Sequence, residues 1–186
     1  MLSREERLFM ISEATKIILR AIGEDLDREG LLDTPNRVAK MYLEITSGLL
    51  SDPPDMTTFS RGDCDQMITI LDLDYFSVCE HHLVPFYGRV HIGYLPDERI
   101  AGLSKFGRVV DWYARRPQIQ EQFTAQIADY IMSQIHPHGV IVVVEGNHMC
   151  MAMRGVRKPN HKTVTSAIRG TLPKDEFFDI LKTQQR

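Results

Sequence analysis

MITILDLDYFSVCEHHLVPFYGRVHIGYL, residues 67–95, is the stretch from which the fold can be read. Met67 to Val78 is rich in β-branched and aromatic residues and runs straight into Cys79. Tyr87 to Leu95 then alternates, with Val90, Ile92 and Tyr94 on one face and Arg89, His91 and Gly93 on the other. Two such runs predict an antiparallel pair of strands. Cys79-Glu80-His81-His82 falls in their connection, where a rigid scaffold holds residues for chemistry.

Working outward, Gly139 to Glu145 contains the apolar run Val140 to Val144, as expected of a strand buried on both faces. It leads into His148-Met149-Cys150, and Thr163 to Ile168 alternates as a last strand. Two helices are predicted between the strand pairs. Gly102-Leu103-Ser104-Lys105 opens the first, with Ser104 as N-cap and Phe106, Val109, Val110 and Tyr113 as its apolar positions. After Pro117 the second runs from about Gln118 to Ile135, with Ile119, Phe123, Ile127, Ile131 and Ile135 four apart. Phe177, Phe178 and Leu181 mark a short terminal helix over 175–182.

Toward the N-terminus, Leu8, Ile11, Thr15, Ile18 and Ile22 form the stripe of an amphipathic helix over about 4–22, started at Ser3 and stopped at Gly23. Thr34 as N-cap and Pro35 at the first helical position signal a second helix, ending near Gly48. Residues 51–65, with Pro53, Pro54 and Gly62, read as a connecting loop. The expectation is therefore a helical extension over 1–50, that loop, and a main domain over 66–186. Paired strands separated by two consecutive helices indicate the α+β class, an antiparallel sheet with helices on one face.

A formal charge of −3 over 186 residues excludes a general nucleic-acid binder, which needs a basic surface. A hydrophobic share of 43% and a charged share of 25% are ordinary for a globular protein, so function must reside in local sites. Three cysteines, no apolar signal segment and no transmembrane-length run point to a reducing cytoplasm.

Cys79 and His82, three apart, can meet one metal ion from a single turn, and Cys150 can complete the set. Zinc takes such thiolate and imidazole donors, and a catalytic zinc keeps a fourth position for water. If the chain stays extended through Cys150, then His148, Cys150, Ala152 and Arg154 share a face, which brings a positive charge toward the metal. His81 and His148 are then spare histidines beside the ion, suited to proton transfer. A closed structural zinc with His81 or His148 as fourth ligand and a Cys79–Cys150 disulfide are the alternative readings. Lys105 and Arg108 beside free backbone N–H groups at a helix start make either a phosphate seat or a solvated basic face. Arg154, Arg157, Lys158 and Lys162 form a second basic cluster.

These segments together resemble the GTP cyclohydrolase I family. The likeness runs from Gly-Leu-Leu-Asp-Thr-Pro-Asn-Arg-Val-Ala-Lys-Met-Tyr at 30–42 to about Gly170. It is carried by Cys79-Glu80-His81-His82-Leu83-Val84-Pro85-Phe86, Gly102-Leu103-Ser104-Lys105, Arg116-Pro117-Gln118-Ile119-Gln120-Glu121 and His148-Met149-Cys150-Met151 with Arg154-Gly155. The resemblance implies a tunnelling fold assembled as two stacked pentamers, a homodecamer with interface active sites. It implies conversion of GTP and water to 7,8-dihydroneopterin triphosphate and formate, the first step toward folate and pterin cofactors, with water activated at zinc attacking guanine C8. Carried over by motif, Cys79, His82 and Cys150 hold zinc, His81 and His148 move protons, Glu121 and Gln120 line the guanine pocket, and Ser104, Lys105, Arg108 and Arg154 hold the triphosphate. The rival reading is a non-catalytic, zinc-stabilised oligomer that only binds a nucleotide. A zinc base deaminase is excluded, because the chain has neither His-x-Glu nor Pro-Cys-x-x-Cys.

Overall fold

The computed structural model describes residues 2–183, and the chain divides into two compact units, 1–47 and 48–186. In the first unit, α1 (Arg4–Ala21) starts in a capping box: Ser3 Oγ accepts from the Glu6 N–H at 3.1 Å, and the Ser3 N–H donates to the Glu6 carboxylate at 2.7 Å. The chain leaves it at Gly23, whose φ of +87° suits glycine. α2 (Thr34–Ile45) packs against α1 through the small or compact residues Pro35 and Ala39, and Ser12 Oγ donates to Asn36 Oδ1 at 3.2 Å. The predicted stripe of α1 is only partly covered. Thr15 is buried, but Ile18 and Ile22 are 60% and 71% exposed, since the shorter α2 meets the middle of α1 along Ser12 and Thr15. The expected cap of α2 also shifts by one residue. A 3-10 turn over Glu29–Leu31 brings the chain in already coiled, so Asp33 is the N-cap and Thr34 the first helical residue.

In the second unit, part of the stretch read as loop is a strand: β1 (Thr58–Ser60) pairs with β4 (Arg99–Ala101) as a small antiparallel sheet. Neither run alternates over enough residues to show in sequence. The main sheet contains β2 (Ile68–Cys79), β3 (Pro85–Leu95), β5 (Pro117–Gln118), β6 (Gly139–His148) and β7 (Thr163–Gly170), in the order β5-β2-β3-β6-β7. All neighbours are antiparallel except the short β5, which lies parallel to the end of β2.

Helices α3 (Leu103–Ala114) and α4 (Gln120–Ile135) cover one face of this sheet. The core lies between: Tyr75, Phe86, Val90, Ile92 and Tyr94 from the strands meet Phe106, Val110, Phe123, Ile127 and Ile131 from the helices. The α+β antiparallel arrangement expected from the sequence is present. On the opposite face, α6 (Lys174–Thr183) lays Phe177 over Gly93, where an added Cβ would stand 2.5 Å from the ring. That second cover explains why β6 is apolar on both sides.

Two helix starts differ from expectation. Gly102 is extended and caps α3, so Ser104 lies inside the first turn, exposed, and is not the N-cap. Gln118 is held in β5, where its carbonyl accepts from the Glu80 N–H at 3.2 Å, so α4 cannot begin before Gln120. No helix among the described residues is long and apolar enough to cross a membrane.

Candidate metal centre

The β2–β3 connection is a tight turn folded back on its first residue. The His82 and Leu83 N–H groups both donate to the Cys79 carbonyl, at 3.3 and 2.8 Å, and the Cys79 N–H donates to the Val84 carbonyl at 2.9 Å. Leu83 takes a left-handed φ of +53°, which closes the turn and leaves Cys79 and His82 on the same side. Cys79 Sγ and His82 Nδ1 are 3.8 Å apart.

Cys150 does not arrive on an extended strand as the sequence reading expected. β7 begins at Thr163, opposite Gly146, so beyond that point β6 is paired only with β3; after His148 the chain coils into the single turn α5 (Met149–Ala152). That turn brings Cys150 to the side chains of Cys79 and His82, and the donor atoms of Cys79, His82 and Cys150 all lie within 4.8 Å of one another. Arg154 also reaches the site, from the bend just after α5 and not by strand alternation, with Nη1 2.9 Å from His82 Nε2.

The three donors fit a thiophilic ion. Bonds of about 2.3 Å to sulfur and 2.0 Å to nitrogen at a tetrahedral angle require a separation of about 3.5 Å, close to what Cys79 and His82 show. The Cys150 thiol is pushed up by burial, and further by the neighbouring Cys79 thiol, so ionising both sulfurs calls for a nearby cation. All three cysteines are free, including Cys64.

Around the triad the arrangement is asymmetric. His148 stacks face to face on Phe86, with centroids 4.7 Å apart and planes 3° from parallel, and its Nε2 lies 2.8 Å from Gln120 Oε1. Burial depresses the His148 pKa most, with His161 adding to the effect, while Glu121 pulls the other way. His81 is exposed, edge-on to His82, with Nε2 3.8 Å from Glu80. Glu121 is exposed in the first turn of α4, whereas Gln120 is only 1% exposed. Its amide is engaged on every side, with Nε2 facing the Val144 and Thr163 carbonyls and Thr165 Oγ1 at 3.0–3.1 Å. Gln120 therefore stands behind His148, with its side-chain oxygen and nitrogen both engaged.

Among the described residues, Ser104, Lys105 and Arg108 make no hydrogen bond or ion pair with the triad, His81, His148 or Glu121. Two neighbours of His148 were missed in the sequence. Phe86 faces it in register on β3, a placement visible only once the strands are aligned. His161 Nε2 accepts from the His148 main-chain N–H at 3.1 Å, and nothing in its local sequence marks that contact.

The profile of the GTP cyclohydrolase I family matches residues 11–181. Curated relatives named GTP cyclohydrolase 1 agree along nearly their whole length. The one from Lysinibacillus sphaericus is 54% identical over 171 residues, 91% of this chain and 90% of that protein. The one from Clostridioides difficile is 55% identical over 168 residues, 89% and 88% of the two chains. That from Bacillus cereus is 50% identical over 184 residues, 95% and 97%. The two-thiol, one-imidazole cluster lies inside the matched region, on a sheet of the expected kind, and at this identity and coverage the chain belongs to the GTP cyclohydrolase I family.

Proposed function

We propose that Cys79, His82 and Cys150 hold the zinc ion with which this GTP cyclohydrolase converts GTP and water to 7,8-dihydroneopterin triphosphate and formate. The convergence of those three donor atoms within 4.8 Å, from segments about seventy residues apart in the chain, carries the reading. Zinc bound there supplies Lewis-acid activation of water at neutral pH, as hydrolysis of an amidine carbon requires.

The chain's own residues supply the rest. Gln120 Oε1 accepts the Nε2 proton of His148, which leaves Nδ1 as the ring atom able to take up or give a proton. The depressed His148 pKa keeps that imidazole neutral, ready to act as a base. His81, exposed beside the same turn, is the second proton-transfer group. Glu121, near enough to His148 to affect its charge, accepts from the guanine N1–H and 2-amino group, donors that adenine does not present there. Arg154, already at His82, meets the triphosphate.

Ser104, Lys105 and Arg108 complete phosphate binding from a neighbouring copy of the chain. The exposure of Val164 and Ile168 on the edge strand β7 supports association with another copy. The assembly proposed is a homodecamer of two stacked pentamers working in the cytoplasm.

The decisive experiment is formate release by the zinc-loaded protein, with GTP and ATP compared and the pterin product identified. Release from GTP alone, abolished by a chelator and restored by zinc, supports the assignment. Binding of zinc and GTP without release makes the protein a nucleotide-binding oligomer.

A further inference from the structure

We propose that His161 is a positioning residue for His148, its imidazole replacing a main-chain ladder bond that the sheet does not make. This rests on the reading of His148 as a proton-transfer group.

β6 and β7 pair in register from Gly139 opposite Gly170 to Gly146 opposite Thr163. Extended by two more residue pairs, past Asn147 opposite Lys162, the ladder would set His148 opposite His161. The β7 backbone does not reach it, because the turn through Lys158, Pro159 and Asn160 bends the chain away. The His148 N–H, at the end of β6, is instead taken up by the His161 side chain, through Nε2 at 3.1 Å.

The chemistry of the two ring nitrogens is unambiguous. A main-chain N–H can only donate, so His161 Nε2 must carry a lone pair. The ring proton is then on Nδ1, which faces the Lys158 carbonyl, a group that can only accept. Both nitrogens of His161 are thus engaged, and the ring serves as a strut. It ties the root of α5 to the turn of the basic loop, whose Lys158 N–H in turn donates to the Met151 carbonyl at 2.9 Å. With Phe86 on one ring face and Gln120 on Nε2, His148 is thus fixed through its backbone as well as its side chain. Small displacements of a catalytic group cost much rate, which gives such a strut its value.

The test uses the full-length, zinc-loaded protein with His161→Gln, which keeps an acceptor near the Nε2 position, and His161→Leu, which removes it. Two readouts are followed: hydrogen exchange at the His148 amide, and kcat against KM for formate release from GTP. In His161→Leu the amide exchanges roughly tenfold faster and kcat falls roughly tenfold, with zinc content kept and KM changed by less than about twofold. His161→Gln returns both to within about threefold of the unaltered protein. Unchanged exchange and kcat in His161→Leu, or equal losses in both variants, overturn the proposal. His148→Asn is run alongside. Full formate release in that variant refutes the catalytic reading of His148, while the exchange data still decide whether His161 holds its backbone.

Discussion

Gln120 Oε1 stands 2.8 Å from His148 Nε2 and cannot trade places with its own amide nitrogen, because that nitrogen faces the Val144 and Thr163 carbonyls at 3.0 and 3.1 Å. The orientation of one buried glutamine thereby sets the tautomer of the histidine beside the metal centre.

Gln120→Leu removes both sides of that arrangement. The two carbonyls lose a buried donor, at a cost of about 1–3 kcal/mol, and His148 loses its orienting acceptor. Urea unfolding is expected to shift to lower midpoint, and kcat for formate release to fall further than KM for GTP rises. A kcat that stays unchanged would show that Gln120 does not act on His148.

Cys150→Ser leaves two of the three metal donors in place. Zinc content is expected to drop well below one per chain and formate release to disappear with it, measured by elemental analysis and turnover on the same sample. Stoichiometric zinc with full turnover would remove Cys150 from the ligand set.

Glu121→Gln exchanges an acceptor for a group that is partly a donor, so two guanine donors no longer find two acceptors. Discrimination between GTP and ATP is expected to fall by about tenfold to a hundredfold in competitive binding, with zinc content unchanged. Intact discrimination would refute the role of Glu121 in reading the base.

His91 predicts a pH dependence of stability. It is buried on β3; its Nδ1 accepts from the Asp72 N–H at 3.2 Å, and its Nε2 has no hydrogen-bond partner among the described residues. Burial lowers its pKa, outweighing the opposing pull of Asp72 and Glu145, while Arg89 and Lys162 add to the lowering. Above about pH 6.5 the ring is neutral in both folded and unfolded chains and contributes no slope. As pH falls below that value the unfolded chain binds a proton that the folded one refuses, so stability drops until the folded pKa is passed. Urea midpoints at about pH 7.5 and about pH 5.5 should therefore differ more for the unaltered protein than for His91→Asn, whose side-chain oxygen can keep the Asp72 contact without titrating. Equal differences in the two proteins would exclude His91 as the source.

Legibility followed the range of the interactions. The alternation of Val90, Ile92 and Tyr94 and the four-residue spacing from Phe123 to Ile135 are local, and the structure buries every one of those apolar positions. The Cys79–His82 spacing was similarly local, and one turn does present both. What could not be read depended on strand alignment. Whether Cys150 is extended or coiled is decided by where β7 starts, and the true partners of Gln120 lie on β6, β7 and at His148. Ser104 and Thr34 were misplaced as caps because good capping residues sit one or two positions inside each helix, and only the backbone of Gly102 and Asp33 shows where coiling begins.

With zinc held as proposed, the split origin of the three donors also dictates an order of assembly. Cys79 and His82 belong to a hairpin of neighbouring strands, which close quickly because the intervening chain is short, whereas Cys150 sits at the end of β6, on the far side of β3 from β2. A nascent chain released only as far as Leu95 offers two donors and grips a metal weakly. Tight capture waits until β6 has been laid down about fifty residues later, so a retained ion marks a chain whose central strands have come together.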